Sequence, residues 1–330
     1  MDVSVVIPVY NEEENVGPLV QRLREAMDRL PVSHEVILVD DGSRDGTWPR
    51  LRAAAGDLPG FVLLRLRRNF GQTAAMSAGI DRAAGRIIVT LDADLQNDPA
   101  DIPRLLEAMT PEVDVVSGWR KDRKDPFLNR RLPSMMANAL ISKITGVALH
   151  DYGCTLKAYR ADVIKNVRLY GEMHRFIPAL AHWVGGNVTE VVVDHHPRRF
   201  GTSKYGIGRT LRVVLDLITV KYLMRYSLGP MQAFGKVGAA IGIPGFLLLG
   251  FMVAAHLAWR ACGAPDTGLA NEMAMWIKRP IWVFTAFSLM LMGVQFLCIG
   301  LLAEVMTRIY HESQSKPTYV IRETAGGPSA

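Results

Sequence analysis

The sequence predicts an α/β domain with a mostly parallel sheet covered by helices on both faces, followed by a two-helix membrane anchor. Three observations carry this reading. Short apolar, β-rich runs alternate with amphipathic segments through the first part of the chain. Polar residues cluster directly after those runs, and two long, nearly uncharged stretches lie near the C-terminus. Alternation of this kind builds parallel sheets buried on both sides.

The strands are expected at Val3–Val9, Glu35–Asp40, Phe61–Leu66, Ile87–Leu91 and Val113–Gly118, with helices near Asn15–Leu30, Thr47–Ala55, Thr73–Ala84 and Pro99–Met109. Ligands of such sheets bind beyond the carboxyl ends of the strands. The residues found there are Tyr10-Asn11-Glu12, Asp40-Asp41-Gly42-Ser43, Asn69-Phe70-Gly71 and Asp92-Ala93-Asp94. Four strand ends are therefore expected to converge on one site. Beyond them, Arg209–Leu228 carries Arg209, Arg212 and Asp216 on one stripe and Leu211, Leu215, Ile218 and Tyr222 near another face, the pattern of a helix lying in a membrane interface.

Val237–Trp259 and Ile281–Met306 contain almost no charge. At about 1.5 Å per residue the shorter run covers roughly 34 Å, enough for a hydrocarbon core of about 30 Å. The connecting loop 260–280 is short. Arg209, Arg212, Lys221, Arg225 and Lys236 precede the first run, while Arg308, Lys316 and Arg322 follow the second, which predicts that both ends face the cytoplasm. Met1–Val9 reads as a strand rather than a signal peptide, so the large domain is expected to remain cytoplasmic at the cell (inner) membrane. The predicted organisation is a domain at 1–206, interfacial helices at 207–236, a transmembrane hairpin at 237–306 and a C-terminal tail at 307–330, extended at Thr318–Arg322 and disordered at Ala325–Ala330.

The formal charge of +6 could suit nucleic acid, but the basic residues flank the apolar runs, where anionic headgroups explain them; lipid is favoured and nucleic acid is not expected. Cys154, Cys262 and Cys298 fall in three different environments, giving neither a disulfide framework nor a zinc spacing. His195 and His196 are adjacent at a strand end and would point to opposite faces, which argues against a shared metal. Gln295 and Glu304 inside the second run call for polar partners, so helix or subunit contacts, as in a homo-oligomer, are among the expectations.

Several carboxylates at one sheet end repel unless a cation or donors offset them. In an extended Leu91–Gln96, alternate residues point the same way, so Asp92, Asp94 and Gln96 would share a face. Such hard oxygen ligands suit Mg²⁺ or Mn²⁺ bridging to the phosphates of a nucleotide.

The surrounding motifs sharpen this. Pro8-Val9-Tyr10-Asn11-Glu12, Val39-Asp40-Asp41-Gly42-Ser43, Asn69-Phe70-Gly71-Gln72 and Leu91-Asp92-Ala93-Asp94-Leu95-Gln96, with Gly118-Trp119-Arg120, Asp151-Tyr152-Gly153-Cys154 and Arg199-Phe200-Gly201-Thr202-Ser203-Lys204-Tyr205, strongly resemble glycosyltransferase family 2 with its GT-A fold. With two C-terminal spans the chain looks like the polyprenyl-phosphate glycosyltransferases, a group that includes dolichyl-phosphate mannose synthases and the undecaprenyl-phosphate glucosyl- and 4-deoxy-4-formamido-arabinose transferases. The resemblance covers about Val3 to Val320.

It implies inverting transfer of a monosaccharide from a nucleotide sugar, with UDP-sugars favoured over GDP-mannose, to polyprenyl phosphate. Pro8, Tyr10, Glu12, Asp40 and Asp41 would contact base and ribose, and Asp92 would lie against the nucleotide and beside the metal held by Asp94 and Gln96. Arg120 would reach donor phosphate or sugar. Arg130 or Arg131, with Ser134, would meet the lipid phosphate, and Arg199 and Lys204 would close over the site; of the Arg-Arg pairs at 130/131 and 198/199, Arg131 and Arg199 are preferred. Asp151 is the candidate for positioning the acceptor or acting as a base, with a structural role as its alternative. Glu172 and His174 are candidate sugar-side contacts. A processive polysaccharide synthase would carry more spans and a Gln-x-x-Arg-Trp motif, both absent from the sequence. A catalytically silent nucleotide-sugar-binding partner would not be expected to keep Asp92, Asp94, Gln96, Arg120 and Lys204.

Overall fold

The computed structural model describes residues 1–121, 132–171, 173–197, 215–222, 224 and 317–326, together with isolated positions between 254 and 309. It divides into two compact units, Met1–Met224 with Pro317–Ala330, and Arg225–Lys316.

The first unit is built on an eight-stranded sheet. Its elements run β1 (Val3–Val9), α1 (Val16–Met27), β2 (His34–Asp40), α2 (Thr47–Ala55), β3 (Phe61–Leu66), α3 (Gln72–Arg82), β4 (Ile87–Thr90), α4 (Ile102–Glu107) and β5 (Val115–Trp119). There follow α5 (Leu132–Thr145), β6 (Lys157–Arg160), α6 (Ala161–Ile164), α7 (Ile177–Trp183), β7 (Val188–Val192) and, after the second unit, β8 (Ile321–Gly326). The strand order is β7-β5-β6-β4-β1-β2-β3-β8. Strands β4, β1, β2 and β3 are mutually parallel, so their carboxyl ends lie along one edge of the sheet.

Every residue of β1 is buried, as the unbroken apolar run Val3–Val9 requires of a strand covered on both faces. Val5, Ile7, Val9, Val36, Leu38 and Leu63 pack with Leu19, Leu23 and Leu51 of α1 and α2, while α3 packs on β1 and β2. Burying each such aliphatic side chain contributes about 1.5–3 kcal/mol. At the amino end of the strands the polar groups are structural: Ser4 Oγ donates to the buried Glu35 carboxylate at 2.6 Å, and Glu35 also accepts from the Ala84 N–H at 2.7 Å.

One strand was not anticipated. β6 runs antiparallel between β4 and β5, while β7, the strand expected before His195 and His196, extends the sheet parallel to β5. Lys157-Ala158-Tyr159-Arg160 has a cation at each end of a four-residue run, so its sequence carries no strand signal.

The C-terminal segment departs further from expectation. Ala325 and Gly326, predicted disordered, belong to β8, which pairs antiparallel with β3. The Arg67 N–H donates to the Val320 carbonyl at 2.9 Å, Tyr319 Oη–H donates to Asp81 at 2.9 Å, and Arg52 pairs with Glu323 at 3.2 Å. The unpaired edge of β3 supplies the backbone partners that make the tail a strand.

Residues 215–222 are helical, and the predicted lipid-facing stripe is divided: Tyr222 is buried, as are Leu217 and Val220 beside the stripe, whereas Leu215 and Ile218 are exposed; Leu211 lies outside the described residues. Lys221 Nζ donates to the Ile144 carbonyl at 2.9 Å, tying this helix to the last turn of α5. The predicted spans lie almost wholly outside the described residues. Ala254, Leu257, Phe284, Leu291 and Leu302 within them are helical and exposed. Among the described residues no helix is long and apolar enough to cross a membrane.

Candidate active site

The strand ends converge through a chain of hydrogen bonds. After β1, Asn11 takes a left-handed conformation (φ 51°); its N–H donates to Ser43 Oγ at 2.9 Å and its side-chain oxygen accepts from Arg44 N–H at 3.0 Å. The Glu12 N–H donates to Thr47 Oγ1 at 2.9 Å, and the Glu12 carboxylate accepts from Asn15 Nδ2 at 2.5 Å. Pro8 is buried within β1 opposite Val39, and Tyr10 is partly exposed at the strand end.

Asp40 and Asp41 face inward rather than outward. Asp40 is 0% exposed, accepts from the Ser43 N–H at 3.1 Å and pairs with Arg65 at 3.4 Å; burial raises its pKa above the ordinary carboxylate value. Asp41 is 2% exposed, and its two oxygens accept the N–H groups of Phe70 at 2.7 Å and Gly71 at 2.9 Å. Burial pushes its pKa up to about 6 although both bonds oppose the rise. A base or ribose contact was expected of these carboxylates; in the fold Asp41 joins the loop after β2 to the loop after β3, and Asp40 braces its own loop through Ser43. Gly42 lets those loops meet, because a Cβ there would stand 2.4 Å from the Arg68 carbonyl carbon.

Asp92 follows β4 and lies partly buried, with Gln72 Nε2 donating to its Oδ1 at 2.8 Å. Burial, and then the neighbouring Asp94 charge, push its pKa up to about 6. Asp92 and Asp94 are thus neighbours, but not through the alternation of an extended strand. Leu95 is left-handed (φ 61°), so the chain turns after Asp92, and Asp94 Oδ1 accepts the Gln96 N–H at 3.1 Å. A local side-chain to backbone bond wins over the extended conformation here. Among the described residues no group of three or more His, Cys, Asp or Glu is arranged to hold a metal ion.

Arg120, at the end of β5, is clasped by Asp151: Nε donates to Oδ2 at 2.7 Å and Nη2 to Oδ1 at 3.1 Å. Asp151 also accepts the Gly153 N–H at 3.1 Å. Both partners are largely buried, and the Asp151 charge, together with its hydrogen bonds, holds the guanidinium protonated against the burial that opposes it. Bidentate pairing fixes a guanidinium plane as well as its charge, so Asp151 orients Arg120.

Lys157 was missed by sequence reasoning. It is 2% exposed, and Nζ donates to the Tyr152 carbonyl at 3.2 Å and to the Cys154 carbonyl, pinning the loop that begins at Asp151; burial lowers its pKa. A lysine in a short polar run reads as surface until packing encloses it.

His174, a candidate sugar contact, is instead buried against α3, where Nδ1 and Thr73 Oγ1 share a hydrogen bond of 2.8 Å. His196 donates its N–H to the Gln96 carbonyl at 2.8 Å and pairs through Nε2 with Asp98 at 3.0 Å. Ser134 sits partly buried near the start of α5. Arg130, Arg131, Glu172, Arg199 and Lys204 lie outside the described residues.

The model for the family described as Glycosyl transferase family 2 matches residues 4–168, the segment from β1 through α6 that carries every strand end above. This chain belongs to that family. It is accordingly a glycosyltransferase, and its relatives narrow the group to enzymes named for polyprenyl phosphates. It is 46% identical to the dodecaprenyl-phosphate galacturonate synthase of Rhizobium johnstonii, over 98% of this chain and 93% of that one. It is 37% identical to the undecaprenyl-phosphate 4-deoxy-4-formamido-L-arabinose transferase of Yersinia pestis, over 98% of this chain and 94% of that one.

Among solved structures, glucosyl-3-phosphoglycerate synthase from Mycobacterium tuberculosis, crystallised with Mn²⁺, UDP and phosphoglyceric acid, superposes with a TM-score of 0.53 at 17% identity, covering 68% of this glycosyltransferase and 78% of the synthase. Mannosyl-3-phosphoglycerate synthase from Rubrobacter xylanophilus gives 0.54 at 16%, covering 67% and 74%. These likenesses establish the GT-A-like α/β fold.

Proposed function

We propose that this glycosyltransferase moves a sugar from a UDP-sugar to a polyprenyl phosphate, with inversion at the anomeric carbon. The observation that carries the reading is the Arg120–Asp151 clasp beside the Asp92/Asp94 carboxylates at the carboxyl end of β4 and β5. That arrangement suits a diphosphate leaving group. The names of the relatives supply the acceptor class, and UDP-galacturonate is the first donor to test because the relative at 46% identity is named for galacturonate.

A divalent cation, Mg²⁺ or Mn²⁺, fits the donor set, since burial and mutual repulsion raise the cost of keeping Asp92 and Asp94 charged together. Asp92 and Asp94, with Gln96, would hold it, and when bound it would offset charge on the diphosphate. The chain's own groups do the rest. Tyr10 and Glu12 border the nucleoside side, Asp41 holds the Phe70–Gly71 loop against it, and Arg120 meets the departing phosphates with a fixed cation. The acceptor phosphate, with a second pKa of about 6, is mostly dianionic at neutral pH and attacks without a strong base. Arg131 and Ser134 are assigned to that phosphate, and Arg199 and Lys204 to closure over the site.

Purified full-length chain in detergent, given undecaprenyl phosphate and a panel of labelled UDP- and GDP-sugars, tests this directly. Label from one UDP-sugar is expected to enter the lipid phase with Mg²⁺ or Mn²⁺ present, to be lost on chelation, and to fall at least about a hundredfold in Asp94→Asn. A folded chain that binds UDP yet labels no lipid with any donor would rule the reading out.

A further inference from the structure

Asp92 is held by a residue with no role in the reading above. Gln72 reaches it from the first turn of α3, with Nε2 2.8 Å from Oδ1. The loop before β6 is tied to the same region, because Thr155 Oγ1 accepts from Asn97 Nδ2 at 3.1 Å. The Thr155 carbonyl accepts from Thr90 Oγ1 at 2.7 Å, so its own backbone is fixed to β4.

We propose that Gln72 is a positioning residue that holds the Asp92 carboxylate in the orientation the donor nucleotide requires. Left to itself, Asp92 would rotate away from the like charge of Asp94; a donor aimed at it from α3 removes that freedom. Gln72 also connects Asp92 to the nucleoside side. It follows Gly71, whose φ of 98° turns the chain into α3 and whose N–H is held by Asp41. Asp41, Gly71, Gln72 and Asp92 thus form one path across the loops after β2, β3 and β4. A displacement of the β3 loop is transmitted to Asp92 through Gln72. The inference rests on the donor reading above but not on the identity of the sugar or of the lipid.

The test compares Gln72→Leu with the wild-type full-length chain in detergent, by calorimetric binding of UDP with Mn²⁺, separate KM values for donor and acceptor, and Tm. Loss of one hydrogen bond to a charged group is expected to weaken UDP binding and donor kcat/KM about tenfold in Gln72→Leu, with acceptor KM and Tm close to wild type. Unchanged UDP affinity in Gln72→Leu overturns the proposal. So does a fall of donor and acceptor constants together with Tm. If the wild-type chain itself fails to bind UDP, the donor reading above falls, and this inference with it.

Discussion

His174 and Asp41 show how the same residue type can serve chemistry or architecture according to what encloses it. His174 lies in a polar stretch beside the site, yet burial, and then the charges of Arg175 and Lys157, push its pKa down to about 3. It is therefore neutral in the fold. As pH falls through the unfolded value of 6.5 the unfolded chain takes up a proton that the native state refuses, so stability is complete above that value and is lost progressively below it. Between about pH 7 and about pH 5 the loss attributable to this group is about 2 kcal/mol. Unfolding of the full-length chain at the two pH values should show it, and His174→Gln should flatten the difference; an equally steep fall in the variant would clear His174 of responsibility. Asp41 has the opposite sign, since a carboxylate pushed up to about 6 destabilises the fold as pH rises into the neutral range. That cost is tolerated where the carboxylate holds the Phe70–Gly71 loop in place. The motif Asp40-Asp41-Gly42-Ser43 was legible as part of a site, but which carboxylate would face inward was not, because side-chain direction at a strand end depends on the loop that packs over it.

At the scale of elements, the agreement follows the strength of the periodic signal. β1, α2 and β3 fall where the sequence placed them, because long apolar runs and amphipathic segments bounded by turn residues leave few alternatives. β6 escaped notice, and β8 was legible only as an extended start at Ile321 and Arg322, for a shared reason: each is short and polar, and each becomes a strand through the backbone of a neighbour. β8 yields a clear expectation. Ending the chain at Thr318 removes the ladder with β3 and the bonds of Tyr319 and Val320, so Tm should fall and the exposed β3 edge should promote aggregation. Tyr319→Phe, which removes only the bond to Asp81, should cost about 1 kcal/mol in the same unfolding assay. If the truncated chain unfolds at the wild-type Tm and aggregates no more than the wild type does, β8 contributes nothing to the sheet.

At the scale of the whole molecule, the chain leaves the first unit at Met224 and rejoins it at Pro317. If residues 237–306 span a membrane twice, both ends of the hairpin must emerge on the side of the sheet that β8 completes. Labelling intact cells with an impermeant maleimide should then reach Cys262, in the loop 260–280; labelling of Cys262 only after the membrane is permeabilised would place that loop on the cytoplasmic side. The sequence by itself determined the fold class, the positions of the parallel strands along the chain and the motifs that follow them, because hydrophobic periodicity and strand-end residues are local properties of the chain. Only the tertiary structure decided that Asp40 and Asp41 turn inward, that Leu95 folds Asp94 back beside Asp92, that Asp151 pairs with Arg120, that Gln72 donates to Asp92 and that Lys157 is buried. Each of those depends on partners distant in the chain, whose burial and hydrogen bonds exist only once the sheet has assembled.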